Sequence, residues 1–350
     1  MKIKSLLLGS AAALVAVSGA RAADAIVAAE PEPVEYVRVC GAFGTGYFYI
    51  PGTETCLKIG GYVRYELNMN RKEQNLAPAG PETAAALAAR MARRTADGYK
   101  DFGKRSEVRL NIEASNETEL GTLYSRVRLG YDANPQQDGD QDLSGFAIDH
   151  AVITLGGLMV GKNASWWDWG FGQDGDGMVS YGPGEMGMFA YTYRMGATAI
   201  SLAVEEDNNG NYTPDVIFDV VTAVGSFNLH GAVAYDEAAR AATAKAMGSF
   251  ALGMATIGLG VQWSDGSARN GSYTASHEWI LGAEVAASLT EKLSARAGFD
   301  YGIDNVVAND WTAGAGINYK FVSGFDVDAR VNYRDSTENF GGRLRLTRSF

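Results

Sequence analysis

The chain has 350 residues, a formal charge of −11, 43 glycines, 8 prolines and 2 cysteines, and 20% of its residues are charged. Its acidic balance excludes a nucleic-acid partner, which would call for a basic face. No segment reaches 18 apolar residues free of charge, which excludes a transmembrane helix.

The chain opens with an address. Lys2 and Lys4 make a basic start, Leu6 to Val17 forms a short apolar stretch, and Ala20-Arg21-Ala22 presents small residues where a signal peptidase reads. Residues 1–22 are therefore expected to be a cleaved export signal. Removing them removes three bases (Lys2, Lys4, Arg21) and no acid, so the mature chain carries −14. Residues 23–57 form an N-terminal segment holding both cysteines, Cys40 and Cys56. An exported chain meets an oxidising compartment, so a disulfide is expected. Closing so short a loop contributes about 3 kcal/mol in the chain-entropy account. A metal site there lacks ligands, because His150, His230 and His277 lie far away in sequence.

From residue 58 to residue 350 the chain alternates with a period of two. In the run Arg105 to Ser115, Glu107, Arg109, Asn111 and Glu113 are polar, and Val108, Leu110, Ile112 and Ala114 are apolar. A strand with one apolar and one charged face needs hydrocarbon on one side and water on the other. Repeated behind an export signal, that pattern predicts an all-β fold, a 16-stranded antiparallel transmembrane β-barrel with a wet interior. The strands are expected near 58–69, 105–116, 120–132, 146–156, 158–164, 188–195, 197–205, 215–224, 226–236, 243–255, 257–264, 276–289, 291–302, 310–320, 323–334 and 340–350. Seven short turns alternate with eight longer loops, the asymmetry of an outer-membrane barrel. The turns are expected at 116–119, 156–157, Gly196, Gly225, Thr256, Thr290 and 322–323.

Register follows from the same pattern. Slipping 105–116 by one residue would put Glu107, Arg109 and Glu113 into lipid, and one Arg at the midplane costs roughly 2–4 kcal/mol. Outward aromatics recur at matched spacing: Phe227 and Tyr235, Trp311 and Tyr319, Phe325 and Tyr333. Eight residues at ~3.3 Å each, tilted by about 40°, cover roughly 20 Å, close to the apolar band that aromatic girdles flank. One segment departs from the pattern. Residues 82–95 follow Pro81, are rich in Ala, Leu, Met and Arg, and read as a short helix in the first long loop.

Inward parity then collects the charges of the lumen. Arg64, Arg109, Arg126 and Arg128 come from the first three strands. Lys292, Arg296, Lys320, Arg330, Arg334, Arg343 and Arg345 come from the last four. Closure makes these one basic wall. The intervening strands offer chiefly Lys162, Arg194 and Lys245. Facing the wall is the third long loop, 165–187, rich in aromatics and glycine, with the acids Asp168, Asp174, Asp176 and Glu185 and no base. Folded into the lumen, it would narrow the pore and set a transverse field against the arginines.

The chain resembles the alphaproteobacterial general porins. The residues that carry the likeness are 22–27 (AADAIV), 34–40 (VEYVRVC), 46–56 (GYFYIPGTETC), 61–65 (GYVRY), 117–121 (ETELG), 153–157 (ITLGG) and the closing Arg348-Ser349-Phe350. The resemblance implies a sixteen-stranded barrel in the cell outer membrane, a homotrimer amid lipid and lipopolysaccharide, and passive diffusion of small hydrophilic solutes and ions. It also implies a pore-constricting third loop, and a terminal aromatic, here Phe350, read by the barrel-insertion machinery. The insert at 82–95 and the sequence of the third loop depart from the family pattern.

Other motifs carry less. Residues 138–142 (DGDQD) hint at a calcium loop, but the sixth position is Leu143 rather than Gly and the twelfth is Asp149 rather than Glu. Gly258-Leu259-Gly260 lies in a strand with no helix after it, so it is no nucleotide cradle. There is no Gly-x-Ser-x-Gly elbow. The reading is therefore not an enzyme, with no cofactor and no metal. The rivals are a closed barrel serving as a structural or adhesive surface protein and, behind it, a barrel enzyme, which would need a nucleophile and base placed together on the outer rim.

Overall fold

The computed structural model describes residues 38–70, 103–133, 145–169, 183–207, 213–265, 273, 277–336 and 338–350. The export signal, the segment 82–95, the motif 138–142, Asp174 and Asp176 lie outside the described residues. The strands are β1 (Phe48–Tyr49), β2 (Cys56–Asn70), β3 (Gly103–Thr118), β4 (Gly121–Ala133), β5 (Phe146–Leu155), β6 (Leu158–Ala164) and β7 (Glu185–Met195). There follow β8 (Thr198–Glu205), β9 (Asp215–Val224), β10 (Phe227–Asp236), β11 (Ala241–Leu252), β12 (Ala255–Ser264) and β13 (Trp279–Ser288). The last four are β14 (Leu293–Ile303), β15 (Asp310–Val322), β16 (Phe325–Arg334) and β17 (Asn339–Ser349).

Strands β2 to β17 form a closed antiparallel barrel of sixteen. Each pairs with its sequence neighbours, and β17 pairs with β2 to close the ring. The seam is fastened at its end by two backbone hydrogen bonds, Gly61 N to Phe350 O and Phe350 N to Gly61 O, each 3.0 Å. Closure removes the free edges that a sheet cannot present to lipid. Among the described residues there is no helix long and apolar enough to cross a membrane.

The alternating pattern predicts all sixteen spanning strands, but several turns lie elsewhere. Gly196 and Gly225 each open a two-residue turn, with φ of 59° and 61°, because the tight hairpin needs a left-handed residue there. Thr256 and Thr290 are not single-residue turns. Leu252 pairs with Ala255, so Gly253-Met254 makes the reversal, with Gly253 supplying the positive φ that a β-branched threonine resists. The β13–β14 connection spans 289–292, and the last short turn is Ser323-Gly324 rather than 322–323.

Burial is inverted relative to a protein folded around an apolar core. Outward Ile59, Val63, Ile153, Phe189 and Leu259 are each at least half exposed, whereas inward Glu66, Glu107 and Asp219 are at most 5% exposed. Only hydrocarbon around the outside makes that arrangement stable. Aromatic belts mark its two borders. At the long-loop end Phe299, Trp311, Tyr333 and Phe340 touch in sequence across β14 to β17, with centroids 4.8–5.9 Å apart. Near the short turns Tyr319, Phe321 and Phe325 form the other belt, at 5.2 and 5.3 Å.

Two departures from simple parity matter. The β4–β5 register shifts at Arg128/Leu129, so that Asp149 is an extra residue in β5 and both Asp149 and His150 are buried on the lumen side. Lys162 does not face inward. It is exposed and pairs with outward Ala151, while Met159 on the other face of β6 packs inside. Its ammonium reaches back to the Ile148 carbonyl at 3.2 Å, as a long basic side chain does when its stem lies along an apolar surface.

Ahead of the barrel a small finger is folded against the start of β2. Cys40 and Cys56 form the disulfide, with Cα atoms 6.0 Å apart. Its second sulfur belongs to the first residue of β2, and β1 pairs beside it through Phe48–Leu57 and Tyr49–Cys56. Tyr47, Phe43 and Tyr49 cover the bridge. The Tyr47 hydroxyl donates to inward Glu113 at 2.7 Å, which lays the finger on the lumen side of the wall near the short turns. Burial, reinforced by the Glu113 carboxylate, pushes the Tyr47 hydroxyl pKa up and keeps it a donor.

Candidate permeation pathway

All eight arginines of the expected wall lie on the inner faces of β2–β4, β14, β16 and β17, within the continuous run β14 to β17 and β2 to β4 that passes through the seam. They do not stand as bare charges. Arg64 pairs with Glu107 at 3.3 Å, and Arg345 pairs with Glu66 at 2.7 Å. Arg109 meets Asp149 at 2.6 Å, Asp132 at 2.8 Å and Glu107 at 3.4 Å. Arg128 lies 3.6 Å from Asp149 and donates to the Tyr62 hydroxyl at 3.2 Å. Arg126 contacts the His150 ring and donates to Asn163 at 2.8 Å. Inward parity would also have found Glu66, Glu107, Asp132 and Asp328. It would not have found Asp149, which owes its position to the bulge.

Missing side chains make room for this network. Gly130 is the cross-strand neighbour of Arg109, and a Cβ there would stand 2.6 Å from the Asp149 carboxylate. Gly316 lies between Arg296 and Arg330 in one row across the sheet, and a Cβ there would stand 2.9 Å from Arg330. That gap lets both arginines turn onto Asp328, at 2.7 and 2.8 Å, with Arg343 joining at 3.3 Å. Three guanidinium groups around one carboxylate leave this patch positive. Arg330 and Arg343 are direct cross-strand partners, a like-charge pairing that Asp328 offsets. The patch lines a recess of about 880 Å³ that also takes in Arg64, Lys320 and Glu284.

Half the ring away, the start of the third loop lies on the inner face of β7 to β10. Trp167 is fully buried against Ala190, Ala203, Ile217, Ala232 and Ala234, small or slender residues that leave space for an indole. Trp166 and Trp169 pack on the same cluster. Of the expected loop acids, Asp168 is exposed within the loop. Glu185 is not a loop acid: β7 begins with it, and it shares the outward parity of Phe189 and Tyr191, because the strand starts three residues earlier than the alternation suggests. What holds the loop there is Lys245 on β11, already expected to point inward, together with two residues that the sequence reading did not single out: Glu205 on β8 and Tyr273 from the connection between β12 and β13. Glu205, Lys245 and His230 share the inward parity. Nothing local says that they converge with Tyr273.

Among the described residues no group of His, Cys, Asp and Glu is arranged to hold a metal ion. Taken together, a closed sheet greasy outside and charged inside defines an outer-membrane β-barrel channel. Comparison with known proteins agrees. Residues 24–346 match the family described as the porin subfamily. The chain is 36% identical over 375 residues to porin Omp2b of Brucella canis, covering 99% of this chain and 95% of that protein. It is 35% identical, with the same coverage, to porin Omp2b of Brucella suis biovar 1. Solved structures share the fold. The outer membrane channel DcaP of Acinetobacter baumannii aligns with TM-score 0.61 at 11% identity, over 86% of this chain and 99% of that chain. A triple mutant of the Rhodopseudomonas blastica porin aligns with TM-score 0.58 at 16% identity, over 84% and 100%. The chain belongs to the porin subfamily, and it is a passive diffusion channel of the outer membrane.

Proposed function

We propose that small hydrophilic solutes cross this barrel between the arginine network and the third loop, and that these opposed charges set its preference among them. The observation that carries this reading is the positive patch around Asp328, half the ring away from the inward-lying start of an acid-bearing loop. A field across a water-filled passage orients dipolar solutes, and an apolar solute must shed its hydration with no partner to replace it. No bond is made or broken in this mechanism, so the barrel works as a channel and not as an enzyme.

The mature chain in this reading begins after Ala22, is inserted with Phe350 read by the assembly machinery, and works as a homotrimer among lipid and lipopolysaccharide. The test is electrical. Replacing Arg109 and Arg126 together by Ala moves the reversal potential in a salt gradient toward cation preference. An unchanged reversal potential in a folded channel refutes the placement of selectivity on this wall. Silence of the unmodified protein in bilayers would instead favour a closed surface barrel.

A further inference from the structure

The third loop is held by groups that the selectivity argument leaves unused. At one place on the lumen side, Glu205 and Tyr273 are 0% exposed and Lys245 is 3% exposed, packed around fully buried Trp167. Glu205 accepts three hydrogen bonds: from Ser165 Oγ at 2.7 Å, from the Trp166 backbone N–H at 2.8 Å and from the Tyr273 hydroxyl at 3.0 Å. The Lys245 ammonium donates to the Trp167 carbonyl and, at 2.6 Å, to the Trp169 carbonyl. It lies 4.5 Å from the Trp167 ring centroid and 4.2 Å from that of Trp169. Trp169 stacks on His230 with centroids 3.3 Å apart, and His230 contacts Asp219.

A buried charge is a poor source of general stability, since an apolar side chain of similar size does as well or better. What an ammonium adds is geometry: it holds two chosen backbone carbonyls and faces two indole rings. Glu205 does the complementary work on the donors of the same short segment. The third participant comes from a different loop. Tyr273 meets Trp167 edge-on, at 6.2 Å and 80°. Burial and the carboxylates of Glu205 and Asp215 push its hydroxyl pKa up, so it stays a donor.

We propose that Lys245, Glu205 and Tyr273 form a latch through which strands β8 and β11 and the β12–β13 connection jointly position the start of the third loop inside the lumen and so set the width of the pore. The three are positioning residues. The effect on pore width rests on the porin reading, whereas the latch itself rests on the contacts alone.

The test uses the full mature chain, folded in detergent and in bilayers, with heat-modifiable gel mobility as proof of a closed barrel. Lys245→Met keeps an unbranched stem against the indoles and removes the charge and the donors. Lys245→Arg keeps both. Iodide in the aqueous phase reads release of the loop, because Trp166, Trp167 and Trp169 line the lumen side while Trp263, Trp279 and Trp311 face outward. Lys245→Met is expected to raise tryptophan quenching and open-channel current noise at least twofold, with Lys245→Arg staying near the unmodified protein. A closed Lys245→Met barrel with unchanged quenching and noise overturns the latch. Where Lys245→Met does not fold, Tyr273→Phe, which removes one hydroxyl, takes its place under the same criteria. An electrically silent unmodified protein overturns the pore reading and the claim about width, while quenching still decides the latch.

Discussion

Asp328 offers the sharpest measurement. Replacing it with Asn preserves shape and removes one negative charge from beneath Arg296, Arg330 and Arg343, all within 3.3 Å. An ion passing about 6 Å from that carboxylate feels about 0.7 kcal/mol in water, and roughly half of that in 0.1 M salt. Removing the charge therefore raises local anions about twofold and lowers cations about twofold, a shift of roughly fourfold in the anion-to-cation permeability ratio. Reversal potentials in a potassium chloride gradient across planar bilayers read this directly. Arg330→Gln should move the ratio the other way, which separates charge from any change in pore size. The pairs are largely shielded by protein, so Asp328→Asn should also lower stability by as much as about 3 kcal/mol, seen as an earlier thermal transition in detergent. A folded Asp328→Asn channel of normal conductance and unmoved reversal potential would falsify the assignment of this patch to the ion path.

Two further outcomes concern the framework. Gly130→Ala puts a Cβ where the Asp149 carboxylate lies, so Arg109 should lose that partner while keeping Asp132 and Glu107. The expected cost is about 1–3 kcal/mol, checked by thermal unfolding, and a neutral result would mean that the carboxylate has space to move aside. Cys40→Ser paired with Cys56→Ser should leave the barrel closed and lower resistance to urea by about 3 kcal/mol. It should also free Tyr47 from Glu113, detected as faster protease cleavage within residues 41–55. Equal cleavage rates would show that the finger holds without its bridge.

The barrel itself is legible in the sequence because its cause is local. A strand between lipid and water must alternate, so faces, strand number and the sign of each lining residue follow from parity and from the charge that lipid refuses. The outward faces of Phe227 and Tyr235 are assigned correctly that way. Turns are less legible, since a two-residue reversal can slide along a Gly-rich stretch until pairing fixes it, as at Gly253-Met254. Lys162 shares the parity of outward Leu158, so the expectation that every charge faces water fails for a long side chain that can lie along the outer surface and reach a backbone carbonyl. Which inward groups meet was decided only by closure of the sheet. Asp149 reaches Arg109 through a bulge and a missing side chain, three arginines gather on Asp328 across Gly316, and Lys245 meets backbone carbonyls far away in sequence. These contacts join residues with no local relation, so the free energy that selects them exists only once the ring has closed.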